Sequence, residues 1–127
     1  MAFSSPYSVI LIKSSLIDLK STGNTVIFTP TKVFVVTDIF SYGSSLSGTI
    51  GSPLANFGWT ATDYSDLTSG YSTFASITGN INGSSLGSLL VDIPTIPASQ
   101  SFRINVATAD ATATTNSQII YVQGYYI

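Results

Sequence analysis

Residues 32–42 read Lys-Val-Phe-Val-Val-Thr-Asp-Ile-Phe-Ser-Tyr. β-Branched and aromatic residues at this density favour a strand, because they pack well on a pleated, half-buried surface. Successive side chains of a strand point to opposite faces. Unbroken alternation puts Val33, Val35 and Ile39 on one face, and Phe34, Val36, Phe40 and Tyr42, with Asp38, on the other. Both faces are apolar. Such a strand is covered twice, here by a second sheet on one side and by a loop or another subunit on the other.

The rest of the chain extends the pattern. Residues 118–127 form a second run of this kind, with Ile119, Tyr121, Tyr125 and Ile127 on one face and Ile120, Val122 and Tyr126, with Gly124, on the other. Phe102, Ile104 and Val106 alternate with Ser101, Arg103 and Asn105, the period of a half-buried strand with a wet outer face. We expect this strand to pair with residues 88–93 across a stiff connection carrying Pro94 and Pro97. Near the start, a strand over residues 7–18 and another over 25–28 flank a turn at Thr22-Gly23-Asn24. Between 43 and 87 the chain is rich in Gly, Ser, Thr and Asn, with weaker strands expected near 48–50, 58–62 and 73–78. Asn82-Gly83 suits a tight hairpin turn, and residues 107–116 read as a loop of small residues.

No window of eleven or more residues keeps a helical apolar period, and Glu is absent. Short strands separated by turn clusters imply an all-β, single-domain antiparallel β-sandwich. It is expected over residues 7–127, behind an extended arm at 1–6.

Composition removes many functions. The 127 residues include no Cys and no His, so a disulfide framework, a zinc site and a Ser-His or Cys-His pair are excluded. Six Asp against four Lys and Arg give a net charge of -2, too few cations for the basic stripe that nucleic acid requires. No apolar run approaches the ~20 residues of a membrane span, and residues 1–6 lack the positive charge of a secretory leader. Partners are therefore expected to be neither nucleic acid nor membrane, with synthesis in the cytoplasm. Yet 44% of the residues are hydrophobic, more than a domain of this size can bury alone. Some apolar surface is expected to meet a partner.

The remaining candidate sites each have a plain account. Asp63 and Asp66 could ligate calcium or flank a glycosidic bond, but two carboxylates fall short of the 6–8 oxygens calcium takes, and Asp and Ser favour turns. Lys13 and Ser14 are adjacent and so point to opposite faces, which disfavours a serine-lysine nucleophile; a Lys that discourages edge-to-edge pairing explains Lys13 better. Trp59, Tyr64 and Tyr71 could form a sugar-stacking platform, with core packing the simpler account of Trp59. No catalytic, metal or cofactor-binding residues are assigned, and no enzyme activity or cofactor is expected.

The run at residues 32–39, Ile96-Pro97-Ala98-Ser99-Gln100-Ser101-Phe102, Asn105-Val106-Ala107-Thr108 and the ending Val122-Gln123-Gly124-Tyr125-Tyr126-Ile127 resemble small β-sandwich capsid decoration (cement) and head-fibre base proteins of tailed bacteriophages. The resemblance covers most of residues 25–127 as an order of strands, and the segment 43–87 departs from it. It implies a jelly-roll-like sandwich that forms a homotrimer on the outer surface of the capsid and bridges major capsid proteins. On that reading Phe34, Phe40, Tyr42, Tyr121, Tyr125, Tyr126 and Ile127 supply core and subunit interface, and Ala2, Phe3, Pro6 and Tyr7 extend onto the shell. The alternative is a carbohydrate-binding module or fibre tip that reads a host glycan through Trp59, Tyr64 and Tyr71.

Overall fold

The computed structural model describes residues 9–82 and 94–127. These form nine strands: β1 (Ile10–Asp18), β2 (Gly23–Phe28), β3 (Phe34–Gly48), β4 (Leu54–Gly58), β5 (Thr68–Tyr71), β6 (Ile81–Asn82), β7 (Thr95–Ile96), β8 (Phe102–Thr108) and β9 (Ala113–Tyr126). One antiparallel sheet has the order β1-β9-β3-β6, with β7 also paired to β3; the other has the order β2-β8-β4-β5. Their inner faces pack together as a sandwich, as the alternating strands imply. Several pairs are nested along the chain: β1 with β9, β2 with β8, β3 with β6 and β7, and β4 with β5. This is the pairing of one long antiparallel ribbon rolled over on itself.

Aromatic and branched side chains fill the space between the sheets. Phe34, Ile39, Phe57, Phe102, Ile104, Ile120 and Val122 are fully buried. Phe34 takes Phe28 and Tyr126 edge-on, each with centroids 5.1 Å away, and Phe57 lies against Phe102 at 5.9 Å. Gly124 is required by this packing, because a Cβ there would run into the Val35 carbonyl oxygen and the Phe34 ring.

The inner face of the first sheet also carries a polar ladder at one end. Asn116 donates to Asp110 at 2.8 Å, and Gln118 donates to Asn116 at 2.9 Å and to the Ala75 carbonyl at 2.7 Å. The Ala75 amide returns bonds to Gln118 at 3.0 Å and to Ser41 at 2.8 Å. Each buried side chain of this ladder thus has a partner, which offsets the desolvation penalty of burying it. The ladder takes both backbone groups of Ala75 with side chains, so that at this residue the segment 73–78 does not make the strand pairing its composition suggests.

β3 departs from simple alternation. A bulge between Val36 and Asp38 inserts one residue, Thr37, whose hydroxyl donates to the Gln123 carbonyl at 3.1 Å. An extra residue shifts every later side chain to the other face. Ile39 therefore joins Phe34 and Val36 inside, while Val35, Asp38, Phe40 and Tyr42 face outward, correcting the grouping read from an unbroken period. In β9 no bulge intervenes after Gln118 and the expected faces hold: Ile120, Val122 and Gly124 are inward, Ile119, Tyr121 and Tyr125 outward.

Other boundaries move for tertiary reasons. β3 runs on to Gly48 and β9 begins at Ala113, so the loop expected over 107–116 shrinks to 109–112. Ser45 with Ser117 and Ser47 with Thr115 pair across the two strands, showing that a long partner recruits residues of poor intrinsic propensity. The first turn falls at residues 19–21, leaving Gly23 and Asn24 in β2. In the middle, strands occupy 54–58, 68–71 and 81–82 instead of the expected spans. Asn82 lies in β6, and Gly83, with the rest of the expected turn, lies outside the described residues. Both edges of β8 are taken, by β2 and β4, and residues 88–93, its expected partner, lie outside the described residues. The arm residues Ala2, Phe3, Pro6 and Tyr7 are likewise outside.

Candidate interaction face

The outward face of the β1-β9-β3-β6 sheet is built row by row from its register. Leu16 pairs with Ile119, Ile119 with Tyr42, and Tyr42 with Ile81, an uninterrupted apolar row across four strands. With strands ~4.8 Å apart it spans roughly 14 Å. The next row is Lys13, Tyr121 and Phe40, and the one beyond is Leu11, Gln123 and Asp38. Phe40 and Tyr121 stack with centroids 5.2 Å apart and planes inclined by 14°. Tyr125 pairs with Val35 farther along the same face.

The row is open to solvent at its two ends, Leu16 being 57% and Ile81 63% exposed, while Ile119 and Tyr42 between them are half-buried. Five of the eight large hydrophobics that the described residues expose, Val9, Leu11, Leu16, Ile81 and Ile127, lie on this face or at its rim, and Val26, Leu54 and Ile77 lie elsewhere. Large exposed apolar patches are where domains meet partners, and this row is open at its two ends.

The residues assigned to core or interface divide by face. Phe34 is fully buried and belongs to the core alone. Tyr126 packs inward on Phe34, while Phe40, Tyr42, Tyr121 and Tyr125 are half-buried on the outer face and Ile127 is exposed at its rim. Sequence reading missed Leu16 and Ile81. The signal for Leu16 was obscured by the bulge between Lys13 and Leu16, which re-aims it. Ser14 fills that bulge inside, accepting the Ile120 amide at 2.9 Å while Lys13 is exposed, so the two are indeed on opposite faces. Ile81 sits in a two-residue strand that carries no periodicity to read.

The three aromatic residues of the sugar platform do not come together as one open surface. Tyr71 is only 6% exposed, its ring edge-on to Phe57 at 5.2 Å and its hydroxyl donating to the Thr73 carbonyl at 3.1 Å. Burial, helped by the Asp38 charge, holds its phenol proton on far above the usual range. Trp59 is half-buried against the core. Tyr64, at φ 54°, lies beneath the Arg103 guanidinium, 5.3 Å from its carbon, and Arg103 also donates to Asn24 at 2.7 Å.

The acidic pair resolves into turn chemistry. Asp66 accepts the Trp59 and Thr60 amides at 2.6 and 2.7 Å, while Asp63 accepts the Ser65 hydroxyl at 2.9 Å. Burial pushes the Asp66 carboxyl up, but the bonds from Thr60 and Trp59 outweigh it and leave it below the ordinary value. Asp110 is the stronger case. It accepts amides from Gly51, Thr112 and Ala113 as well as the Asn116 side chain, and these outweigh burial to bring it down to about 2. Both carboxylates are committed to holding loops.

Sandwich and face together define a small antiparallel β-domain with one sheet closed over the core and one outward sheet face left apolar. No protein-family model matches the chain, and no curated protein matches it. Among solved structures, a chain of the cyanophage Pam1 capsid asymmetric unit is similar to it with a TM-score of 0.60 at 15% identity, covering 100% of this chain and 94% of that one. That likeness is one of fold.

Proposed function

We propose that the protein is a virion structural component, a capsid decoration protein that forms a homotrimer on the outer surface of a phage head and bridges major capsid proteins. It is made in the host cytoplasm, and its role is mechanical, without catalysis or a cofactor. The observation that carries this reading is the apolar row of Leu16, Ile119, Tyr42 and Ile81 on an outward sheet face. An isolated domain gains nothing from such a row, whereas covering it in an assembly removes it from water at ~25 cal/mol per Å².

Two further observations support it. The nested strand pairing supports the jelly-roll-like form of this reading, an architecture that recurs in viral capsid and lectin domains. The fold likeness to a phage capsid chain extends over the full length. Repeated subunits on a lattice would add avidity without strong single contacts, which suits a chain with ten charged side chains, six Asp and four Lys or Arg. The glycan alternative draws no support from a buried Tyr71 and a Tyr64 stacked on Arg103.

The test is co-sedimentation of purified protein with empty heads of a phage that encodes it. Saturable binding that raises the temperature at which the heads rupture is the expected result. Absence of binding would refute the reading.

A further inference from the structure

We propose that residues 75–82 form a strap that opens and closes on β3 as a unit of its own, carrying Ile81 with it, and that the Gln118 side chain is its latch. The inference goes beyond the capsid reading, since it concerns how Ile81 is held and not what covers it.

The strap is attached by hydrogen bonds, whereas the sheets are held together by packing. Of its residues Ala75 alone is buried, and residues 76–82 are all exposed. Side chains take the place of a neighbouring strand at three points. The fully buried Gln118 carboxamide accepts the Ala75 amide at 3.0 Å and donates to the Ala75 carbonyl at 2.7 Å, the pair of bonds that a strand residue would make. The Ser41 hydroxyl accepts the same amide at 2.8 Å and donates to the Asn82 carbonyl at 3.2 Å. The Thr78 hydroxyl accepts the Leu46 amide at 3.1 Å and donates to the Leu46 carbonyl at 3.0 Å. Backbone bonds from Gly79 to the Gly43 carbonyl at 2.8 Å and from Gly43 to the Asn80 carbonyl at 3.0 Å complete the attachment with β6. Gly43 permits this approach, because a Cβ there would stand 2.7 Å from the Ile77 carbonyl oxygen.

An exposed hydrogen bond exchanges for one to water at little net cost. Segments with few buried apolar contacts and many exposed bonds therefore open locally, below the cost of unfolding the whole domain. The Asn82 side chain donates to the Phe74 carbonyl at 3.1 Å and ties the strap's two ends, so it moves as one piece. Gln118 is its firmest hold, being buried and itself anchored on Asn116 at 2.9 Å. The apolar row thus has a fixed part on long strands, Leu16, Ile119 and Tyr42, and a conditional end at Ile81. A partner that covers Ile81 in its place on the row binds the closed strap, so covering and latching reinforce one another.

Native-state hydrogen exchange of the full chain in low urea tests this. The amides of Ala75 and Gly79, and those of Gly43 and Leu46 whose acceptors lie on the strap, should exchange together through an opening that urea barely promotes. Ile104 and Val106 of β8 should exchange more slowly and with the steep urea dependence of global unfolding. Gln118→Met keeps the length of the side chain and removes the latch, and should speed exchange at Ala75 by about tenfold. Thr78→Val, at an exposed position that the core does not need, should speed exchange at Leu46 by about fivefold. Strap amides that follow the urea dependence of Ile104 and Val106 would overturn the inference, as would a Gln118→Met chain in which Ala75 exchanges no faster. Neither result bears on binding to heads, so the capsid reading stands or falls on its own test.

Discussion

Phe40 and Tyr121 are direct cross-strand partners on β3 and β9, and their rings lie nearly parallel, 5.2 Å between centroids, on the side of the sheet that faces away from the core. Stacked aromatic pairs contribute about 1 kcal/mol beyond the area they bury. Placed on an outward face, the pair stiffens a flat platform that stands beside Lys13 and next to the apolar row.

Tyr121→Ala should therefore separate folding from assembly. Chemical denaturation should show the isolated chain losing about 1 kcal/mol, the scale of the stack. Sedimentation velocity should show a much larger effect, with the oligomer dissociating at concentrations where the wild type stays assembled. Equal losses in both measurements would mean that the ring serves only the fold.

Gly124 predicts the reverse pattern. A Cβ there would collide with the Val35 carbonyl and the Phe34 ring, so Gly124→Ala forces the two central strands apart. Overpacking of this kind costs about 1–3 kcal/mol. Urea unfolding should register that loss without any specific effect on association. A stability equal to the wild type would show that β3 and β9 can separate freely at this point.

Asp110 should give the protein a defined acid limb. Its folded-state value of about 2 lies below the ordinary 3.8, so folding favours the ionised form. The resulting stabilisation is complete above the unfolded value and is lost as the pH falls from about 5 toward 2, with a magnitude of about 2 kcal/mol. Asp110→Asn should flatten the decline in thermal midpoint over that window, at the expense of stability near neutrality. An unchanged pH profile would remove Asp110 as its source.

Tyr71 distinguishes core from carbohydrate platform. Tyr71→Phe removes the bond to the Thr73 carbonyl and should cost about 1 kcal/mol; Tyr71→Ala leaves a cavity beside Phe57 and Phe74 and should cost about 3–5 kcal/mol. Neither change, nor Tyr64→Ala, should alter retention on a glycan array, where the wild type is expected to bind nothing. Saccharide binding that Tyr64→Ala abolishes would revive the alternative.

The parts of the fold that were legible in the sequence are those where each residue reports its own environment. Phe102, Ile104 and Val106 alternate with polar neighbours because one face of β8 is wet, and Ile120 and Val122 in β9 keep a strict period because no bulge interrupts them near the core. The reading failed where an environment is set from elsewhere. Thr37 carries no local mark of a bulge, yet it decides that Ile39 is inside and that Phe40 and Tyr42 are outside. Ala113 and Thr115 look like loop residues until the far half of β3 pairs with them, and residues 73–78 look like a strand, whereas the Ala75 amide is taken by the side chains of Gln118 and Ser41. The interaction face was half legible for the same reason. Its aromatic members lie in obvious strands, while Leu16 follows a bulge and Ile81 belongs to a strand too short to announce itself.

The central claim, a homotrimer seated on the outside of a phage shell, is tested most directly by an electron-microscopy reconstruction of the particle that carries this chain. The account predicts three sandwiches clustered on the outer surface of the shell, with the apolar row of the β1-β9-β3-β6 face covered. Density for the chain inside the head, in isolated single copies, or with the β1-β9-β3-β6 face open to solvent would contradict it.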